Sequence, residues 1–266
     1  MRERVSTEMR IEYQLILEDF ERELGIAGEL AAATGPKSPF SPEARISLAN
    51  GLTLLLASIF EEYVRQLVRA VWSERRKVAA NLDGFPNKLR SKLWRAGLER
   101  AARRSFTDVD ADPKVAREKI EHLLKFCLDG DLSADVEKEI SHNDNNMRPG
   151  EITRLFNQIG IQDIIGICCS KQIVLSFFDR DNAGQTADVA RASLEDFFVR
   201  RNIIAHEISF GSSGGPTAIS KDIETFRVIA TGLAQAADGF EAPASAPPVD
   251  GQSSRWNLFG RLLGFH

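Results

Sequence analysis

Arg201-Asn202-Ile203-Ile204-Ala205-His206 is the richest chemical grouping in this 266-residue chain. It brings a guanidinium, a carboxamide and an imidazole together near the end of an apolar, helix-patterned run, Ala190 to Phe210. Arginine offers a planar fork of donors suited to phosphate oxygens. Histidine exchanges protons near neutral pH. The pairing suits cleavage of a phosphodiester. At about 100° per residue, Asn202 and His206 share a helix face, and the long Arg201 side chain reaches the same groove. Asn202 is then placed to fix the imidazole tautomer or to bind a phosphate oxygen. A single helix supplies one copy of each group, whereas metal-free RNA cleavage calls for both an acid and a base. Two such helices paired across a two-fold axis supply both.

The arginine–histidine spacing recurs in Arg117-Glu118-Lys119-Ile120-Glu121-His122. That copy is interleaved with charges and reads as a solvated helix face. The Arg201 copy has apolar residues between, as a packed helix requires, and Asn202 directly after the arginine.

The elements that position these residues read as helices throughout, because apolar residues recur at helical spacing and strand alternation is hard to find. Ile11, Leu15, Ile16 and Phe20 predict a first helix from about Val5 to Ala33. The breaker run Gly35 to Pro42 follows, with Ser41 as N-cap and Pro42 at the first helical position. A long helix from Pro42 to about Ala80 is ended by Asp83-Gly84-Phe85-Pro86. Further helices are predicted over about Asn87 to Arg103, from Asp112-Pro113 to near Asp129-Gly130, and over Gly150 to Ile159. The motif helix runs from about Thr186 to Ile208, and a last helix covers about Ala218 to Ala237. The long helix near Leu54 to Leu67 and the motif helix are expected to form the core and a dimer groove.

Composition narrows the class. The 43% apolar and 27% charged content is that of an ordinary soluble globular protein. A net charge of −4 means that any nucleic-acid binding must come from a local patch. Cys127, Cys168 and Cys169 form no disulfide framework and have no zinc-like spacing, so a reducing cytoplasm is the expected setting. The charged Met1 to Arg10 segment argues against a signal peptide. The apolar run Ile46 to Phe60 is shorter than the roughly 20 residues of a membrane span, and a buried helix explains it better. No metal, cofactor or membrane partner is expected.

Three blocks in order resemble the RiboL-PSP-type group of HEPN-like nucleases. The hexapeptide Arg201 to His206 resembles the signature of the HEPN superfamily. Ala57-Ser58-Ile59-Phe60-Glu61-Glu62-Tyr63-Val64-Arg65-Gln66-Leu67 is similar to the group's apolar helix with an embedded glutamate. His142-Asn143-Asp144-Asn145-Asn146-Met147-Arg148-Pro149-Gly150-Glu151-Ile152 is similar to a third block. The similarity covers most of about Ile11 to Ala237. It implies an all-α HEPN-type bundle that dimerises and forms a composite, metal-independent endoribonuclease site. Members commonly serve as toxins or effectors in prokaryotic antiphage and toxin–antitoxin systems, which implies RNA as substrate and an antitoxin or defence protein as partner. Arg201, Asn202 and His206 carry over as catalytic residues, and Glu61 or Glu62 as a supporting acid. Where many relatives have glycine after the histidine, this chain has Glu207. The alternative reading is a silent HEPN module that binds a nucleotide or a partner.

Between Lys88 and Arg104 the positive residues far outnumber the single acid, Glu99. Arg90, Lys92, Arg95, Arg100, Arg103 and Arg104 are the candidates for an RNA-guiding patch, the plainer reading being a solvated helix face. His142 to Asn146 suits a turn better than a metal loop, and Cys168-Cys169 suits buried packing. Residues 1–238 are expected to form the HEPN-like domain, residues 239–254 a flexible Ala/Pro-rich linker, and residues 255–266 a short apolar tail. Trp256, Phe259 and Leu263 can share one face of that tail, which is expected either to dock on a partner, on the body of the protein or, less readily, on a membrane surface, or to stay disordered.

Overall fold

The computed structural model describes residues 2–79, 81–82, 85–107, 113–143, 146–206 and 214–240, with side chains from residue 11 onward except 97, 100–107, 113–117 and 119. Among the described residues every regular element is helical: α1 (Arg2–Ala32), α2 (Pro42–Val78), α3 (Asn87–Thr107), α4 (Pro113–Leu124), α5 (Glu137–Ile140), α6 (Pro149–Gln158), α7 (Ile164–Cys169), α8 (Gln172–Phe178), α9 (Ala183–His206) and α10 (Gly215–Asp238). Helices α1, α2 and α10 pack against one another as the spine. Helix α9 lies on α2, α7 and α8, while α3 and α4 pair and are joined to the spine through α5.

Helix α2 carries the core, and its termini follow elementary rules. The Ser41 hydroxyl accepts the Ala44 N–H at 3.2 Å, and Pro42 sits where no backbone donor is needed. Glu43 in its first turn and Arg75, Arg76 and Lys77 in its last complement the helix dipole. Leu52, Leu56, Phe60, Val64 and Leu67 recur at helical spacing and are buried. Each contributes about 1.5–3 kcal/mol of transfer free energy. Among the described residues α2 is also the helix long and apolar enough to cross a membrane by length and composition. A third of its most apolar stretch is buried inside the bundle.

Aromatic contacts fix how α9 and α10 sit on α2. The Phe226 ring stacks on Phe60 at 4.4 Å and meets Phe197 edge-on at 4.6 Å, so α2, α9 and α10 share one aromatic cluster. The buried Tyr63 hydroxyl donates to the Ala230 carbonyl at 2.7 Å, a second link from α2 to α10. Burial holds the Tyr63 phenol well above its ordinary pKa. At Gly232 an added Cβ would lie 2.6 Å from Val174 Cγ2 and 2.7 Å from Cys168 Sγ. Only glycine lets α10 approach α7 and α8 this closely. Cys168 and Cys169 are buried there, as packing residues.

The long helices fall where periodicity places them, and three differences have physical causes. Helix α9 begins at Ala183, one turn before Thr186, because the Asn182 side chain accepts the Gly184 and Gln185 N–H groups at 2.8 and 3.3 Å. Helix α4 stops at Leu124 and continues as a π-helical turn, Lys125–Asp129, closed by Gly130 at φ 69°. Helices α5, α7 and α8 have four, six and seven residues, too few for a period to show in the sequence. Phe240, which composition assigns to the linker, packs on the core beneath the Arg75 guanidinium, 5.1 Å from the ring centroid. The rest of the linker and tail, including Trp256, Phe259 and Leu263, lies outside the described residues, as does Glu207.

Candidate functional site

Helix α9 delivers its motif from a firmly anchored base. Ala187, Ala190, Leu194 and Phe197 recur at helical spacing and are buried. Next to the motif, Arg200 grips Asp222 of α10 through two bonds, NH1 to Oδ2 at 3.1 Å and NH2 to Oδ1 at 2.7 Å. Burial pushes the Asp222 carboxyl above the ordinary carboxylate range, and the facing guanidinium offsets part of that rise. The pair therefore fixes position more than it adds stability.

One residue on, Arg201 and Asn202 are half-buried, whereas Ala205 and His206 are exposed. Arg201 NH1 donates to Asn202 Oδ1 at 3.3 Å, and Arg201 Nε is buried without a hydrogen-bond partner. A second donor reaches the same oxygen: Asn146 Nδ2 lies 2.5 Å from Asn202 Oδ1. With its oxygen engaged twice, the Asn202 amide turns its NH2 group away from both donors. His206 follows one turn later, as the last described residue of α9.

Asn146 belongs to the segment between α5 and α6, and α2 holds that segment. Glu61, with its side chain 14% exposed, accepts the Met147 N–H at 3.4 Å and pairs with Arg65 at 3.1 Å. Arg65 Nε in turn donates to Asn143 Oδ1 at 2.9 Å. Glu62 points elsewhere, bridging Arg65 at 3.4 Å and Arg69 at 3.3 Å. Arg69 Nε donates to Ser141 Oγ at 2.8 Å, closing the attachment. Arg148, at the start of α6, pairs with Glu195 of α9. Met147 between them is fully buried. The segment is thus tied to both α2 and α9.

The structure brings Arg201, Asn202 and Glu61 into one connected polar network, with Glu62 on its outer side. Of the basic residues, Lys92 reaches the network's edge, donating from Nζ to the His142 carbonyl at 3.2 Å. Arg90 is half-buried, its carbonyl accepting from the Cys127 thiol, and Arg95 is exposed. The side chains of Arg100, Arg103 and Arg104 lie outside the described residues. His122, of the second arginine–histidine pair, is exposed on α4, and the Arg117 side chain lies outside the described set. Among the described residues no three His, Cys, Asp or Glu side chains gather as a metal site.

The residue that sequence reasoning missed is Asn146. Its block was visible as an Asn/Asp-rich turn, but nothing in the turn's composition points to a residue 56 positions away. Arg65 and Arg69 were hidden in the same way, since ordinary i, i+4 charge pairs on a helix look alike.

The family model described as RiboL-PSP-HEPN matches residues 22–238. No curated protein and no solved structure matches the chain.

Proposed function

Because the chain belongs to the RiboL-PSP-HEPN family, we propose that it is a metal-independent endoribonuclease acting as a homodimer. The observation that carries this reading is the convergence of all three sequence blocks. Glu61 of α2 holds the backbone of Met147, the neighbour of Asn146; Asn146 orients Asn202, and Asn202 lies between Arg201 and His206 on α9. In the reaction, His206 takes the proton from a ribose 2′-hydroxyl, and that oxygen attacks the adjacent phosphorus in line. Arg201 and the free NH2 of Asn202 bind the phosphate oxygens as charge builds on the phosphorane. His206 of the partner subunit protonates the departing 5′-oxygen, leaving a 2′,3′-cyclic phosphate and a 5′-hydroxyl. Proton transfer of this kind contributes about 10²–10⁴-fold in rate.

The exposed imidazole fits a shared site, since an isolated chain leaves it facing water. The basic face of α3 touches the Asn146 segment through Lys92 and extends the cationic surface outward along the RNA. We assign the activity to a toxin or effector of a prokaryotic defence or toxin–antitoxin system in the cytoplasm, controlled by a partner protein.

Co-expression of wild-type and His206→Ala chains under separate tags tests the composite site. The purified heterodimer keeps one imidazole, so it has the base or the acid of the shared reaction but not both, and its RNA cleavage falls close to that of the His206→Ala homodimer. A heterodimer that keeps about half of the wild-type activity means that each chain has its own site, and the shared mechanism fails.

A further inference from the structure

Helix α1 carries apolar residues on the side that faces away from the core. Tyr13, Phe20, Leu24, Ala27 and Ala31 point inward and are buried. Ile11, Leu15, Ile26 and Leu30 are 50%, 56%, 48% and 41% exposed. At 100° per residue these four span an arc of about 100°, centred roughly 140° from the buried face. They account for four of the large apolar side chains left in water, all on one helix stripe.

The stripe is palindromic. From Ile11 the steps are four residues to Leu15, four to Asp19, three to Arg22, four to Ile26 and four to Leu30. Asp19 and Arg22 occupy its centre, their side chains 63% and 64% exposed and paired with each other at 2.9 Å. Laid against an antiparallel copy of itself, the stripe sets Ile11 on Leu30, Leu15 on Ile26 and Asp19 on Arg22. Apolar meets apolar at both ends, and acid meets base twice in the middle. A parallel copy would set Asp19 on Asp19 and Arg22 on Arg22. Glu18 and Glu23 lie about 70° to either side of the midline and stay in water.

We propose that α1 is a self-association surface whose occupant is α1 of a second copy, antiparallel about a two-fold axis near Phe20 and Glu21. Isologous contact of this kind requires a self-complementary patch, and the palindrome supplies one. The central charges set the register, because sliding the helices by one turn places one of them on an apolar residue and the other on its own like charge in the partner. Ile11, Leu15 and Asp19 precede residue 22, where the family match begins. The surface is also separate from the α9 residues, so it joins subunits independently of any pairing at His206.

Sedimentation velocity of the full-length protein over the micromolar range tests this. Asp19→Arg sets two arginines against each other at each of the two central contacts. It should weaken association about tenfold or more and lower the mass by one association step. Adding Arg22→Asp restores the match and the wild-type mass, which a merely structural effect would not do. Leu15→Glu, at an exposed position that leaves the fold intact, should dissociate the same step. The inference is overturned by a wild-type monomer. It is equally overturned by unchanged masses in Asp19→Arg and Leu15→Glu, or by a double variant that stays dissociated.

Discussion

Replacing His206 by alanine should reduce RNA cleavage by at least about 10²-fold while leaving the melting temperature unchanged, and Arg201→Ala should reduce it by about 10³-fold. The two effects have different origins. His206 is exposed at the end of α9 and makes no described hydrogen bond that holds the bundle together, so in the proposed reaction its loss removes proton transfer alone. Arg201 is half-buried, donates to Asn202 Oδ1, and keeps a second donor, Nε, buried without a partner. In the proposed reaction its removal takes away the cation that faces the phosphorane, and it also removes one of the two donors that hold the Asn202 amide. Arg201→Lys should not rescue, because an ammonium cannot reproduce the planar fork. Initial rates on a fluorogenic RNA, with circular dichroism of each variant, give both readouts. Wild-type rates in His206→Ala would remove the imidazole from the reaction.

Phe226→Ala should be among the most damaging core substitutions. Its ring stacks on Phe60 within 9° of parallel and meets Phe197 nearly at a right angle. All three rings are buried, and they come from α10, α2 and α9. Truncation deletes both ring contacts and opens a cavity that three rigid helices cannot close. The cost is about 3–5 kcal/mol, which for a domain of this size lowers the melting temperature by about 10 °C. The damage also reaches the motif, since Phe197 lies one turn before Arg201. Leu55→Ala, at a position 40% exposed on the same bundle, serves as control and should shift stability by no more than about 0.5 kcal/mol. A melting temperature for Phe226→Ala within a degree or two of wild type would show that the cluster does not join the helices.

Much of this arrangement was legible in the sequence where a period or a charge pattern carried it. Leu52, Leu56, Phe60 and Val64 repeat over many turns, so α2 could be drawn almost to its ends. The motif was legible for the same reason: a four-residue step from Asn202 to His206 means one helix face whatever the tertiary fold. Glu61 and Glu62 could not be separated, because neighbours on a helix point about 100° apart and only the bundle decides which one faces the Asn146 segment. The contact of Asn146 with Asn202 was out of reach altogether. It depends on how α2 and α9 pack, and a short Asn-rich segment has no periodicity to announce it. The basic run of α3 lies between these cases. Its charge could be read directly, but its attachment to the site, through Lys92 to the His142 carbonyl, could not.

One assay separates a metal-independent ribonuclease that uses the 2′-hydroxyl from its alternatives. Purified wild-type protein is incubated in excess EDTA with an RNA, and with the same RNA carrying a single 2′-deoxy nucleotide at the mapped cleavage position. The all-ribose strand should be cleaved to 2′,3′-cyclic phosphate and 5′-hydroxyl ends, and the other strand should stay intact at the deoxy position. Cleavage abolished by EDTA and restored by Mg²⁺, or equal cleavage at the deoxy position, would contradict it.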